Sequence, residues 1–181
     1  MSVRGTYFRY SGTSISETEI IYEILSSILG PIEEEKIPTN DSWMHTIIEI
    51  HFPVLYGDDF FTLFTADKWH KLKKVIAEIK KRRGKSPMKI EFSFPGVNGE
   101  RGATTRLVLQ TLESDYKKLE RAIDRVEVLA EVIDSQMSKM PAEVLEMTYC
   151  FESTHSRWRP DFVKTDEKIY HYTNDSWEVK D

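Results

Sequence analysis

The chain has 181 residues, 40% of them hydrophobic and 30% charged, with a formal net charge of -5. Its 4 Trp, 8 Tyr and 9 Phe exclude a largely disordered chain, and a single cysteine, Cys150, excludes an intrachain disulfide and a cysteine-based zinc cage. No apolar run approaches the length of a membrane span, so the expected setting is cytoplasmic and soluble, without a membrane partner.

In chain order, Val3 to Tyr10 reads as a strand, rich in aromatic and β-branched residues. A helix follows, with Ser16 and Glu19 as a capping box and Ile15 and Ile20 as a hydrophobic staple. Ile21, Ile24, Leu25, Ile28 and Leu29 repeat at helical spacing until Gly30-Pro31 stops the run. An acidic connector, Glu33 to Glu35, leads to a second strand from about Met44 to Leu55. There Thr46, Ile48, Ile50 and Phe52 alternate with His45, Ile47, Glu49 and His51.

The segment 68–85 is the most charged of the chain, with nine Lys or Arg against one acid. It predicts a helix that buries Trp69, Leu72, Ile76 and Ile79 on one face, with Thr65 or Asp67 as its cap. Met88, Ile90, Phe92 and Phe94 mark a third strand, residues 95–102 a glycine-rich turn, and Ala103 to Thr111 a fourth strand. A long helix is predicted from Ser114 to Met137. A fifth strand points Leu145, Met147, Tyr149 and Phe151 inward. Lys168 to Tyr172 and Trp177 to Val179 read as the two arms of a hairpin.

From the second strand to the fifth the order is βαββαβ, which resembles the ferredoxin-like split βαβ layout. The expected fold is therefore α+β: an antiparallel sheet with helices on one face, an N-terminal βα addition and a C-terminal β-hairpin tail. It is read as a single domain, divided into the addition at 1–42, the core at 43–153 and an aromatic tail at 154–181. The layout carries little functional content, because this fold hosts enzymes, regulators and passive modules alike.

Three surfaces carry chemistry. The first is the polar side of the second strand, where His45, Glu49 and His51 project from one face. Two imidazoles and a carboxylate form a ligand or acid–base set, which makes a small-molecule enzyme one reading. His45 and His51 are six residues apart, however, about 20 Å along an extended strand, so one ion does not reach both. No metal and no cofactor is expected. The second surface is the aromatic tail, where Arg157, Trp158, Arg159 and Trp177 are of the types enriched where partners dock. The third is the basic helix, whose Lys71, Lys74, Lys81 and Arg82 would meet a nucleic-acid backbone. Against that, its last-turn cations suit the helix dipole, and the acids of the long helix, Asp124 and Glu127 among them, offer an internal partner.

Weaker signals have simpler explanations. The run Arg4-Gly5-Thr6-Tyr7-Phe8-Arg9-Tyr10 interleaves arginines and rings as base-stacking strands do, but matches the RNP1 pattern only at its opening. Cys150 and His155 form no identifiable nucleophile–base pair, and Asp58 and Asp59 read as solvated loop acids. Thr39-Asn40-Asp41-Ser42-Trp43 recurs as Thr173-Asn174-Asp175-Ser176-Trp177, turn chemistry that also raises a shared role for Trp43 and Trp177. The sequence thus favours a non-catalytic binding module. It would meet a partner protein, or a second copy in a homodimer, through the sheet face and the tail.

Overall fold

A computed structural model describes residues 5–38 and 45–180. Its described strands are β1 (Thr6–Ser11), β2 (Ile32–Lys36), β3 (Thr46–His51), β4 (Met88–Phe94), β5 (Arg106–Glu113), β6 (Glu146–Glu152), β7 (Arg157–Lys164), β8 (Ile169–Thr173) and β9 (Ser176–Val179). The helices are α1 (Ile15–Leu29), α2 (Asp58–Leu63), α3 (Ala66–Arg83), α4 (Tyr116–Asp124) and α5 (Val126–Met137). The fold is mixed α and β, with one nine-stranded sheet in the order β2-β1-β3-β4-β5-β6-β7-β8-β9.

This order differs from the expected ferredoxin-like one. In a split βαβ unit an antiparallel strand lies between the two parallel strands. Here β3 pairs directly and in parallel with β4, and β5 with β6. Each crossover returns the chain to the adjacent position, so the sheet is mixed and wide. The expected run of elements along the chain is present; its connection in space is not.

The helices line one side, α1 beside α3 and α3 beside α4. Strand alternation sends Phe8, Ile48, Ile50, Ile90, Phe92, Leu109, Met147 and Tyr149 beneath them, all essentially inaccessible. An aromatic cluster fills one end of this core. Phe52 contacts Phe60, Phe64, Phe92 and Phe94, and Trp69 sets its indole edge-on to Phe60 and Phe92. That cluster explains α2, where the sequence predicts a loop with solvated acids. Phe60 and Phe64 need burial, and a short helix presents both to the sheet.

Four local expectations are corrected. The capping box is Ser14 with Glu17, not Ser16 with Glu19, and Ile15 and Ile20 are exposed rather than stapled. The run Ser14-Ile-Ser-Glu-Thr-Glu holds both spacings, and the earlier one wins because Arg82 and Arg83 of α3 reach Glu17. The acidic connector is itself an edge strand, β2, parallel to β1. The long helix is two helices, interrupted at Arg125. The tail contributes β7 to the sheet, held by Trp158, whose indole N–H donates to the Ala122 carbonyl at 2.9 Å. Thr39 to Trp43, the first copy of the repeated segment, and Arg4 lie outside the described residues.

Candidate functional site

Glu49, His51 and their neighbours lie on the side of the sheet away from the helices. Register aligns Arg9, Glu49, Glu91, Gln110, Cys150 and Arg159 in one row across six strands. The row is laced by ion pairs. Arg9 bonds Glu35 at 3.0 Å and Glu49 at 2.9 Å, and Lys89 reaches Glu49 at 3.3 Å and Glu91 at 3.5 Å. Further along the same face Arg106 and Lys164 share Glu146, at 2.7 and 3.3 Å. Burial pulls the Arg9 pKa down, but Glu49 and Glu35 outweigh it and leave it raised. Burial likewise opposes the Glu146 charge, and Arg106 and Lys164 overcome it, so that carboxyl ends below its ordinary range. Glu91 is raised, first by burial and then by the nearby Glu49.

The structure does not bring His45, Glu49 and His51 together. His45 sits in the residue before β3, half-buried. Glu49 is saturated by Arg9 and Lys89. His51 is buried, stacked on Tyr7 with ring centroids 5.0 Å apart, and its Nδ1 lies 2.9 Å from Ser93 Oγ. Ser93 is an unforeseen partner, found only because β4 pairs with β3. The pair has the contact of a nucleophile and a base, but Ser93 is 1% exposed and out of reach of a substrate. Among the described residues no group of three or more His, Cys, Asp or Glu could hold a metal ion.

Cys150 and His155 are separate. The thiol lies near the Gln110 amide and Asp161, at 3.7 and 3.5 Å, while His155 bonds Glu152 at 3.0 Å. Burial, with Asp161 adding to it against the Gln110 contact, pushes the Cys150 thiol up to about 11. A thiol that stays protonated at neutral pH is a poor nucleophile. Asp58 and Asp59 occupy the exposed first turn of α2. From Thr6 onward the aromatic run forms β1, an interior strand that buries Phe8 and binds Arg9 to acids on both sides.

The basic helix is compensated in part. Lys73 bonds Glu127 at 2.8 Å and Asp124 at 3.4 Å. Arg82 and Arg83 hold Glu17, and Lys80 is wholly buried, donating to the carbonyls of Gly84 and Ser86 beyond the helix end. Of the four residues expected to meet an anion, Arg82 is therefore engaged within the chain. Lys71, Lys74 and Lys81 are exposed.

The tail residues converge. Arg157, Trp158, Arg159 and Trp177 line one cleft of about 430 Å3, together with Tyr172 and, from the end of α5, Gln136 and Lys139. Its origin is a fault in the sheet. β7 pairs with β6 from Arg157 onward, with a bulge near Asp161, but it pairs with β8 only from Phe162 to Lys164. A bulge sharpens local twist, and β8 leaves β7 just past this point. The two-residue hairpin turn, with Asn174 and Asp175 both at positive φ, joins β8 to β9 and sets Tyr172 opposite Trp177.

The cleft is rich in donors and rings. The Arg159 guanidinium lies 5.5 Å from the centre of the Tyr172 ring, and Tyr172 and Trp177 are tilted against each other at 5.0 Å. Glu152 accepts from Arg157 Nε at 3.1 Å and from one Arg159 Nη at 3.5 Å. One carboxylate thus faces two guanidiniums, each of which keeps further N–H donors. Gln136, which also lines the cleft, accepts from the Tyr149 hydroxyl through Oε1 at 2.8 Å. The tail composition announced aromatic anchors. Lys139 and Gln136 had no sequence signal, since only folding sets α5 beside β7.

Among the described residues no helix is long and apolar enough to cross a membrane. No protein-family model, curated protein or solved structure matches the chain.

Proposed function

We propose that this chain acts by binding another protein, without catalysis, and that its working surface is the tail end of the sheet. The observation that carries this reading is the assembly of Arg157, Trp158, Arg159 and Trp177 around one cleft. Rings and guanidiniums on a partly desolvated wall are the composition of protein-binding hot spots. The helix-free sheet face joins the cleft through Arg159 and is the adjoining part of the surface. Its ion pairs are mutually satisfied, so it would flank a partner rather than anchor one.

The rival readings lose support from the same contacts. Nucleic-acid binding through the basic helix would have to rest on the exposed Lys68, Lys71, Lys74, Lys81 and Lys85, because Lys73, Lys80, Arg82 and Arg83 are engaged within the chain. An enzyme on the His45, Glu49 and His51 face would need groups that have separate partners. Self-association is the version of the proposal in which the partner is a second copy.

The test is site-specific photocrosslinking in the cells that make the protein. A photoreactive residue at Tyr172 should give a discrete protein adduct, and one at Lys36, on the opposite edge strand, should not. Equal adducts at both sites, or none at Tyr172, would remove the proposal.

A further inference from the structure

Resting on that reading, we infer that the cleft between β7 and β8 takes an extended acidic segment of the partner protein, laid along the free edge of β7 and carrying an aromatic side chain. Three observations point to this occupant.

The first is main-chain vacancy. Arg157 to Pro160 pair with β6 on one side and, among the described residues, have no strand beside them on the other, because β8 joins β7 only at Phe162. In a strand, alternate residues turn N–H and C=O toward each side, so this edge offers a short unpaired ladder. An extended peptide is the ligand that satisfies such a ladder, and side-chain pockets then set its specificity. Pro160 lacks an N–H, which limits the ladder to the stretch before it.

The second is charge. Lys139, Arg157 and Arg159 border the cleft, against Asp175 from the hairpin turn. Glu152 already lies between the two guanidiniums at 3.1 and 3.5 Å. The chain thereby displays the chemistry this wall accepts: a carboxylate on a short side chain projecting from a neighbouring strand. The third is the far wall. Tyr172 and Trp177 line it, and a volume of about 430 Å3 admits an aromatic side chain but not a folded element.

The experiment uses the full chain and a fluorescein-labelled set of eight-residue peptides. Asp or Glu fills alternate positions, and one position is Phe, Tyr or Trp. Saturable polarisation is expected for members of this set and not for the same peptides with Lys in place of the acids. Affinity should fall about tenfold or more in the double variant Arg157→Ala, Arg159→Ala, and remain within about twofold in Lys74→Glu. Hydrogen exchange should slow on binding in residues 157–159 and 172–177, a readout that does not depend on either variant folding well.

Absence of binding across the whole set overturns the inference, as does binding that the double variant leaves intact. Binding without added protection at 157–159 removes the strand geometry. A mononucleotide panel run in parallel overturns it too if nucleotides bind where the peptides do not. Adducts at Tyr172 with no affinity for acidic peptides would remove this inference and leave the proposed function standing; loss of both would remove both.

Discussion

Glu17 and Arg82 meet across the helical layer: the carboxylate at the first turn of α1 accepts from Arg82 Nε, in the last turn of α3, at 3.1 Å. Arg83 joins the same carboxylate, which also takes the Ser14 backbone N–H at 2.8 Å and so closes the capping box. One acid therefore fixes where α1 begins, neutralises the end of α3 and ties the two helices together.

Replacing it tests that arrangement. Glu17→Gln keeps the size and loses the charge, and unfolding in urea at pH 7 should report a loss of about 1–2 kcal/mol. The pH dependence has a definite sign. Burial raises the Glu17 pKa, but Ser14, Arg83 and Arg82 together hold it below its ordinary 4.5. Its stabilisation is present above that value and is lost as pH falls through the lowered folded value. The gap between wild type and variant should close in that acid range; a gap that persists below it would show that the charge is not the cause.

Glu91 should behave in the opposite way. Burial and the neighbouring Glu49 raise its pKa in the folded chain, so its ionised form opposes folding. Glu91→Gln should unfold at a higher urea concentration than wild type at pH 7. The gain should vanish below about pH 4.5, where the carboxyl is protonated in both folded and unfolded chains. A loss of stability at pH 7 would show that the Lys89 contact at 3.5 Å outweighs the burial of the charge.

Neighbouring lysines on α3 should separate. Lys73 bridges to Asp124 and Glu127 and is 17% exposed at its side chain, whereas Lys74 is exposed. Lys73→Ala should cost about 0.5–1 kcal/mol, and Lys74→Ala should change stability by less than about 0.5 kcal/mol. High salt should narrow the difference. Equal effects of the two substitutions would contradict the helix-to-helix ion pair.

The turn after β4 is intolerant for a steric reason. A Cβ on Gly96 would lie 2.2 Å from the Ala103 carbonyl oxygen, which is backbone and cannot swing away. At Gly5 nothing lies within 4 Å. Gly96→Ala should lower stability by about 2 kcal/mol or more, and Gly5→Ala should be near neutral in the same thermal melts.

Cys150 should alkylate slowly. With its thiol pushed up to about 11, iodoacetamide labelling of the native chain should be slow at pH 7–8, rise steadily toward pH 11, and become fast in denaturant. Rapid labelling at pH 7 would contradict the half-buried, protonated thiol.

Several of these features were legible in the residues alone. Periodicity located α3 and its buried face of Trp69, Leu72, Ile76 and Ile79, and strand alternation located β3 and β4, because burial on one side leaves a local pattern. The C-terminal hairpin was legible from Asn174-Asp175, since turn chemistry is also local. Strand β2 was not, because three consecutive glutamates give no burial pattern when only one neighbour pairs with them. The true capping box was not, because two overlapping spacings fit equally well until α3 arrives beside one of them.

What the sequence determined by itself is part of the inventory: the basic helix α3, the strands β3 and β4, the C-terminal hairpin, and a lone cysteine that excludes an intrachain disulfide. Tertiary structure alone decided which strands are neighbours, and with that every site. It placed His51 on Ser93, spent Arg82 on Glu17, and parted β8 from β7 so that Arg157, Arg159 and Trp177 border one cleft. The physical reason is range. Helix and strand patterns arise from contacts a few residues apart, whereas a site depends on pairings between segments far apart in the chain, which only the packed sheet selects.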